Sequence, residues 1–81
     1  MTSMKKEELL KKVGKRVQQI RTSKGLSQMD LASKIEGKID TTNISRIESG
    51  RTNPTIYTLH RIAEALEISV EELLKFESVS G

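Results

Sequence analysis

Two short amphipathic segments, joined by a link too short to hold another element, constrain this chain more than anything else in it. The first opens at Ser27, a residue type favoured as a helix N-cap, and places Leu31, Ala32 and Ile35 at helical spacing. The second opens at Asp40 and places Ile44 and Ile47 three residues apart, with Gly50 to close it. Between its apolar positions lie Thr41, Thr42, Asn43, Ser45 and Arg46, four short hydrogen-bonding side chains and one guanidinium.

Apolar periodicity continues on both sides. Leu9, Val13, Val17 and Ile20 form one stripe at helical period, which predicts a first helix from about Lys5 to Ser23, ended by Gly25. The second helix is expected from about Gln28 to Ile35, with Asp30 in its first turn acting on the helix dipole. The third is expected from about Thr41 to Ser49, capped by Asp40 and stopped at Gly50. Arg51-Thr52-Asn53-Pro54 reads as a polar loop, because the proline pushes Asn53 out of helical conformation. A fourth helix follows from about Ile56 to Leu66, with Thr55 as cap and Ile56, Leu59, Ile62, Ala63 and Leu66 as its apolar face. A fifth begins after Ser69, where Ser69 and Glu72 have the spacing of a capping box, and is expected to reach Phe76. Residues 78–81 read as a short tail. With no repeat, linker or low-complexity tract, residues 1–81 form one all-α domain of five helices.

A domain of 81 residues lies near the lower end of what buries a self-sufficient core. Its apolar content is aliphatic, with Tyr57 and Phe76 as the aromatic residues, so a second copy is an expected source of further burial. The chain has no cysteine, which removes disulfides and thiolate metal sites. No apolar run approaches the roughly 20 residues that span a bilayer. Charge recurring from Lys5 to Lys24 does not read as a signal peptide, and a cytoplasmic protein is expected. Residues 1–25 hold eight Lys/Arg against two Glu, whereas residues 63–81 hold Lys75 against five Glu. That gradient suits a protein with one face toward a polyanion, although two solvated helix faces produce the same pattern.

The paired segments make a helix-turn-helix, and Leu26 to Leu74 resembles the Cro/C1-type (Xre) family of bacterial and phage regulators. The resemblance implies a five-helix, lambda-repressor-like DNA-binding domain whose second motif helix lies in the major groove of double-stranded DNA. It places Thr41, Thr42, Asn43, Ser45 and Arg46 nearest the bases, while Ile44 and Ile47 turn into the core, as their period independently requires. Arg46 has a fork that pairs with O6 and N7 of guanine, yet a phosphate contact or a solvated arginine fits the same position. Asn43 suits a phosphate equally well. Ser27 and Gln28 stand at the start of a helix, where unpaired amides attract phosphate, and the resemblance likewise implies that Gln28 touches the DNA backbone. Arg51, Thr52 and Asn53 are expected to add phosphate contacts, with an ordinary polar turn as the plain alternative. From Leu31 to Ile44 the chain counts two residues more than the commonest family spacing, the excess lying in Glu36-Gly37-Lys38. Lys38 is expected to gain a phosphate contact from the longer turn.

The resemblance also implies an ion pair between Arg21, near the end of the first helix, and Glu48 of the Arg-Ile-Glu segment. Each follows a core isoleucine and so stands at the border of the core; two solvated charges are the alternative. Val70, Leu73, Leu74 and Phe76 crowd more apolar surface into the last helix than it readily hides, and a homodimer seam is expected there, together with Ile68 just before it. Catalysis is not expected. The one histidine, His60, has no nucleophile or carboxylate constellation near it in sequence, and the acidic residues lack metal-site spacing. No cofactor, membrane or small-molecule effector is expected. The reading is a homodimeric transcription regulator on an inverted-repeat operator, resembling phage repressors or restriction-modification controllers. A protein-interaction or antitoxin module of the same fold is the first rival. A membrane-surface role for the lysine-rich first helix is a second, weaker because its aliphatic stripe is better used as a wall of the core.

Overall fold

The computed structural model describes residues 4–37 and 39–76. Lys38 and the tail at 78–81 lie outside them. The described residues form α1 (Lys6–Ser23), α2 (Gln28–Lys34), α3 (Thr41–Glu48), α4 (Ile56–Ala65) and α5 (Val70–Leu73), with no strand among them. Local signals explain most boundaries. Ser27 and Asp30 exchange side-chain-to-amide bonds, each 2.9 Å, and Thr55 Oγ1 accepts the Thr58 N–H at 3.0 Å.

The core is aliphatic. Val17, Leu31, Ile44, Ile62, Leu66 and Leu73 are fully enclosed, one or more from each helix. The long helix α1 packs against α3 and α5, α2 against α3 and α4, and α4 against α5. Arg16 of α1 adds a polar tie, its Nε donating to the Glu72 carbonyl of α5 at 2.9 Å.

Five expectations need correction. Leu9 does not join the core stripe: α1 has 18 residues and is about 27 Å long at 1.5 Å per residue, so its first turns overhang the other helices. Ile56 stands in the first turn of α4 and is largely exposed, because only the later turns, from Leu59 onward, reach the core. Asp40 occupies the N-cap position of α3 with extended backbone, yet its carboxylate makes no cap bond; its carbonyl accepts the Asn43 and Ile44 N–H groups instead. Helix α5 stops at Leu73, and Glu72 turns its carboxylate to Lys75 Nζ (3.4 Å), so Ser69 supplies its half of the box alone. Leu73 offers no surface to the expected dimer seam. It is fully enclosed because the four-residue helix aims that side chain inward to seal the base of the core, leaving Leu74 42% exposed.

Candidate nucleic-acid interface

The two faces of α3 separate cleanly. Ile44 and Ile47 are buried and anchor the helix, while Thr42, Asn43, Ser45 and Arg46 are exposed and Thr41 is half-buried. The Arg46 guanidinium is bonded to no other side chain among the described residues. Thr41 and Asn43 also line an open groove of about 670 Å³ bounded by Met29 and Ser33 of α2 and by Thr58 and Arg61 of α4. In the loop after α3, Arg51 and Asn53 are exposed and Thr52 half-buried; the Arg51 N–H donates to the Arg46 carbonyl at 2.9 Å, closing the helix.

Beneath this surface lies a charged network. Arg21 Nε donates to Glu48 Oε2 at 2.6 Å and Nη2 to Oε1 at 3.0 Å, a two-point bond whose side chains are only 9% and 3% exposed. Arg21 Nη1 donates to the Leu26 carbonyl at 2.7 Å. Gln28 Nε2, from the first turn of α2, donates to Glu48 Oε1 at 2.9 Å. The carboxylate bonds raise the Arg21 pKa above its already high ordinary value, against the opposing effect of burial, so the guanidinium stays charged. One carboxylate at the end of α3 thereby holds α1 through Arg21 and the N-terminus of α2 through Gln28. Gln28 is oriented by that bond and keeps a second amide N–H for another acceptor. At the cap of the same helix, the Ser27 N–H holds the Asp30 carboxylate below its usual range, with the Ser27 hydroxyl adding to the effect.

Two glycines seat α3 against α1. A Cβ on Gly14, in the middle of α1, would overlap the Ile47 carbonyl oxygen and lie 2.5 Å from that of Glu48. A Cβ on Gly50 would lie 2.9 Å from the Lys11 Cα, and Gly50 holds φ +77°, a conformation other residues rarely adopt. Gly14 was not singled out from sequence. Its signal is a glycine inside an otherwise strong helical pattern, which costs about 1 kcal/mol relative to alanine unless close packing requires it.

His60 stacks on Tyr57 with ring centroids 6.2 Å apart and lies 3.6 Å from Glu64, an exposed surface arrangement. Among the described residues no group of three or more His, Cys, Asp or Glu is placed to hold a metal ion. None of the described helices is long and apolar enough to cross a membrane.

The helix-turn-helix family model HTH_3 matches residues 17–73, from the middle of α1 to the end of α5. The chain is a helix-turn-helix protein of the Cro/C1 type. It is 34% identical over 67 residues to the uncharacterized HTH-type transcriptional regulator y4dJ of Sinorhizobium fredii, covering 83% of this chain and 84% of that protein. The crystal structure of the restriction-modification controller protein C.AhdI from Aeromonas hydrophila superposes with a TM-score of 0.74 at 38% identity, over 79% of this chain and 94% of the controller. The controller C.Esp1396I, solved as a tetramer on its natural 35 base-pair operator, gives a TM-score of 0.70 at 40% identity, over 83% of this chain and 96% of its own. The described residues are all-helical, and membership of this family makes the chain a DNA-binding transcription regulator.

Proposed function

We propose that this helix-turn-helix regulator binds an inverted-repeat operator as a homodimer, reading bases with the exposed face of α3. One observation carries the reading: the polar face of α3 is presented to solvent while three ties behind it, the isoleucine anchors, the glycine contacts with α1 and the Arg21–Glu48–Gln28 network, fix its orientation. A helix held this firmly by residues that leave Thr41, Thr42, Asn43, Ser45 and Arg46 available is suited to reading base edges. Gln28, Ser27, Arg51, Thr52 and Asn53 flank it as phosphate contacts, and Lys38 belongs to the same proposal from its place in the link. The tetramer of C.Esp1396I on its operator supports self-association on DNA. The seam assigned here is Leu74 with half-buried Ile68, Val70 and Phe76, now without Leu73. A two-fold seam there would set two recognition helices about 34 Å apart, one turn of DNA.

Selection of bound duplexes from a random pool, followed by affinity measured against salt, tests the proposal. An inverted repeat should emerge, and log affinity should fall by about 0.9 per phosphate neutralised. Duplex binding that is undetectable even at low salt would favour the interaction-module reading of the same fold.

A further inference from the structure

Six residues separate Lys34 at the end of α2 from Thr41 at the start of α3, and Gly37 among them holds φ +87°. At the end of α2, Ile35 is already extended (φ −80°, ψ 125°), and its N–H reaches the Ala32 carbonyl at 3.3 Å. The next carbonyl is gripped from another element altogether. Arg61 of α4 donates Nε (3.0 Å) and Nη2 (2.8 Å) to the Glu36 oxygen. The same Nη2 lies 3.0 Å from where a Cβ on residue 37 would stand, so the guanidinium rests against the Gly37 backbone. One turn earlier on α4, the Tyr57 ring lies 5.8 Å from the Arg61 Cζ and contributes cation–π attraction. Arg61 also lines the open groove beside Thr41 and Asn43, in the first turn of α3.

We propose that Arg61 is a positioning residue for base recognition: by gripping the Glu36 carbonyl it fixes the direction in which the chain enters α3. The proposal rests on the reading of α3 as the base-reading helix. A glycine-containing link of this length has many conformations, and two donors from α4 converging on one of its carbonyl oxygens restrict them. Base contacts demand one register of α3, whereas phosphate attraction tolerates many. Releasing the clamp therefore lowers the fraction of molecules ready to read bases, and specific affinity falls by that fraction. Non-specific affinity is spared.

Arg61→Met and Arg61→Lys, compared with the parent on the selected operator and on random duplex, test this. Arg61→Met should remain folded by circular dichroism and lose about tenfold in operator affinity, with random-duplex affinity within about twofold and an unchanged salt slope. Arg61→Lys, which keeps the charge and a single donor nitrogen but loses the planar fork, should lie between. Amide hydrogen exchange of Arg61→Lys should quicken at residues 36–44 and not in α1. If operator and random duplex weaken together and the salt slope drops by about one, Arg61 is a phosphate contact and the proposal is overturned. Unchanged operator affinity overturns it too. If Arg61→Met does not fold, Arg61→Lys decides: unaltered exchange at 36–44 and unaltered specificity refute the clamp. Failure of the parent protein to select any operator refutes the reading of α3 itself, an outcome separate from loss confined to the variants.

Discussion

Arg21→Met removes the cation from a carboxylate that has little other support. Glu48 has a side chain 3% exposed and accepts bonds from Arg21 Nε, Arg21 Nη2 and Gln28 Nε2. The substitution deletes two of these three and orphans the Leu26 carbonyl, which accepts from Arg21 Nη1. Methionine fills much of the vacated volume, so the loss is electrostatic rather than a cavity. Breaking a buried pair from one side costs about 3–5 kcal/mol. The surviving bond from Gln28 and the position at the border of the core favour the lower end, about 3 kcal/mol. That is a large share of the total, since a domain of this length is stable by roughly 4–12 kcal/mol. Urea titration followed by circular dichroism reads the change directly. In the same series, Arg21→Met with Glu48→Leu should recover most of the loss, because the cost lies in the unpaired charge. A single-variant cost below about 0.5 kcal/mol, as exposed ion pairs show, would refute the claim that the pair is desolvated.

Four shorter expectations follow from the same geometry. Gly14→Ala should destabilise by about 1–3 kcal/mol in urea despite alanine's higher helix propensity, because its Cβ meets the Ile47 and Glu48 carbonyls; a gain in stability would show that α1 and α3 move apart freely. Arg46→Ala should leave the assembly intact and cost about 1–3 kcal/mol on the operator, relaxing preference at one symmetric pair of positions. Equal weakening on random DNA would make Arg46 a phosphate contact. Leu74→Asp should yield folded monomers by light scattering that bind the full site weakly, whereas Leu73→Asp should unfold the domain, since Leu73 is fully enclosed; unchanged mass for Leu74→Asp would place the seam elsewhere. Asp30 has its pKa lowered by the Ser27 cap, so its contribution to stability is present above the ordinary carboxylate range and lost as pH falls through the folded value. The stability gap between the parent and Asp30→Asn should therefore close below about pH 4, and a gap that does not change with pH would refute the cap's role.

Local chemistry made most of the helices legible. Caps and apolar periods act within three or four residues, so Ser27, Thr55 and Ser69 mark the starts of α2, α4 and α5 as expected. The same range explains the misses. Periodicity says which residues share a face, but it does not say how far along that face a partner extends. Leu9 and Ile56 match their stripes and still stand in solvent for that reason. Adjacent Leu73 and Leu74 are equivalent by composition, and only the direction in which a four-residue helix meets the core separates them.

At the candidate site the division is similar. The residue types of α3 and the alternation that sinks Ile44 and Ile47 were readable, because a helix's faces follow from its own repeat. By itself the sequence determined an all-α chain with a helix-turn-helix and one polar helix face between two apolar anchors. The pair of Arg21 and Glu48 was legible from the family resemblance, but the other contacts that hold that face were decided by tertiary structure. Gly14 against Ile47, Gln28 on Glu48 and Arg61 on Glu36 join residues 33, 20 and 25 positions apart. Such contacts depend on the distance between helix axes, which no local pattern encodes, and they follow only once the aliphatic core has brought the helices together.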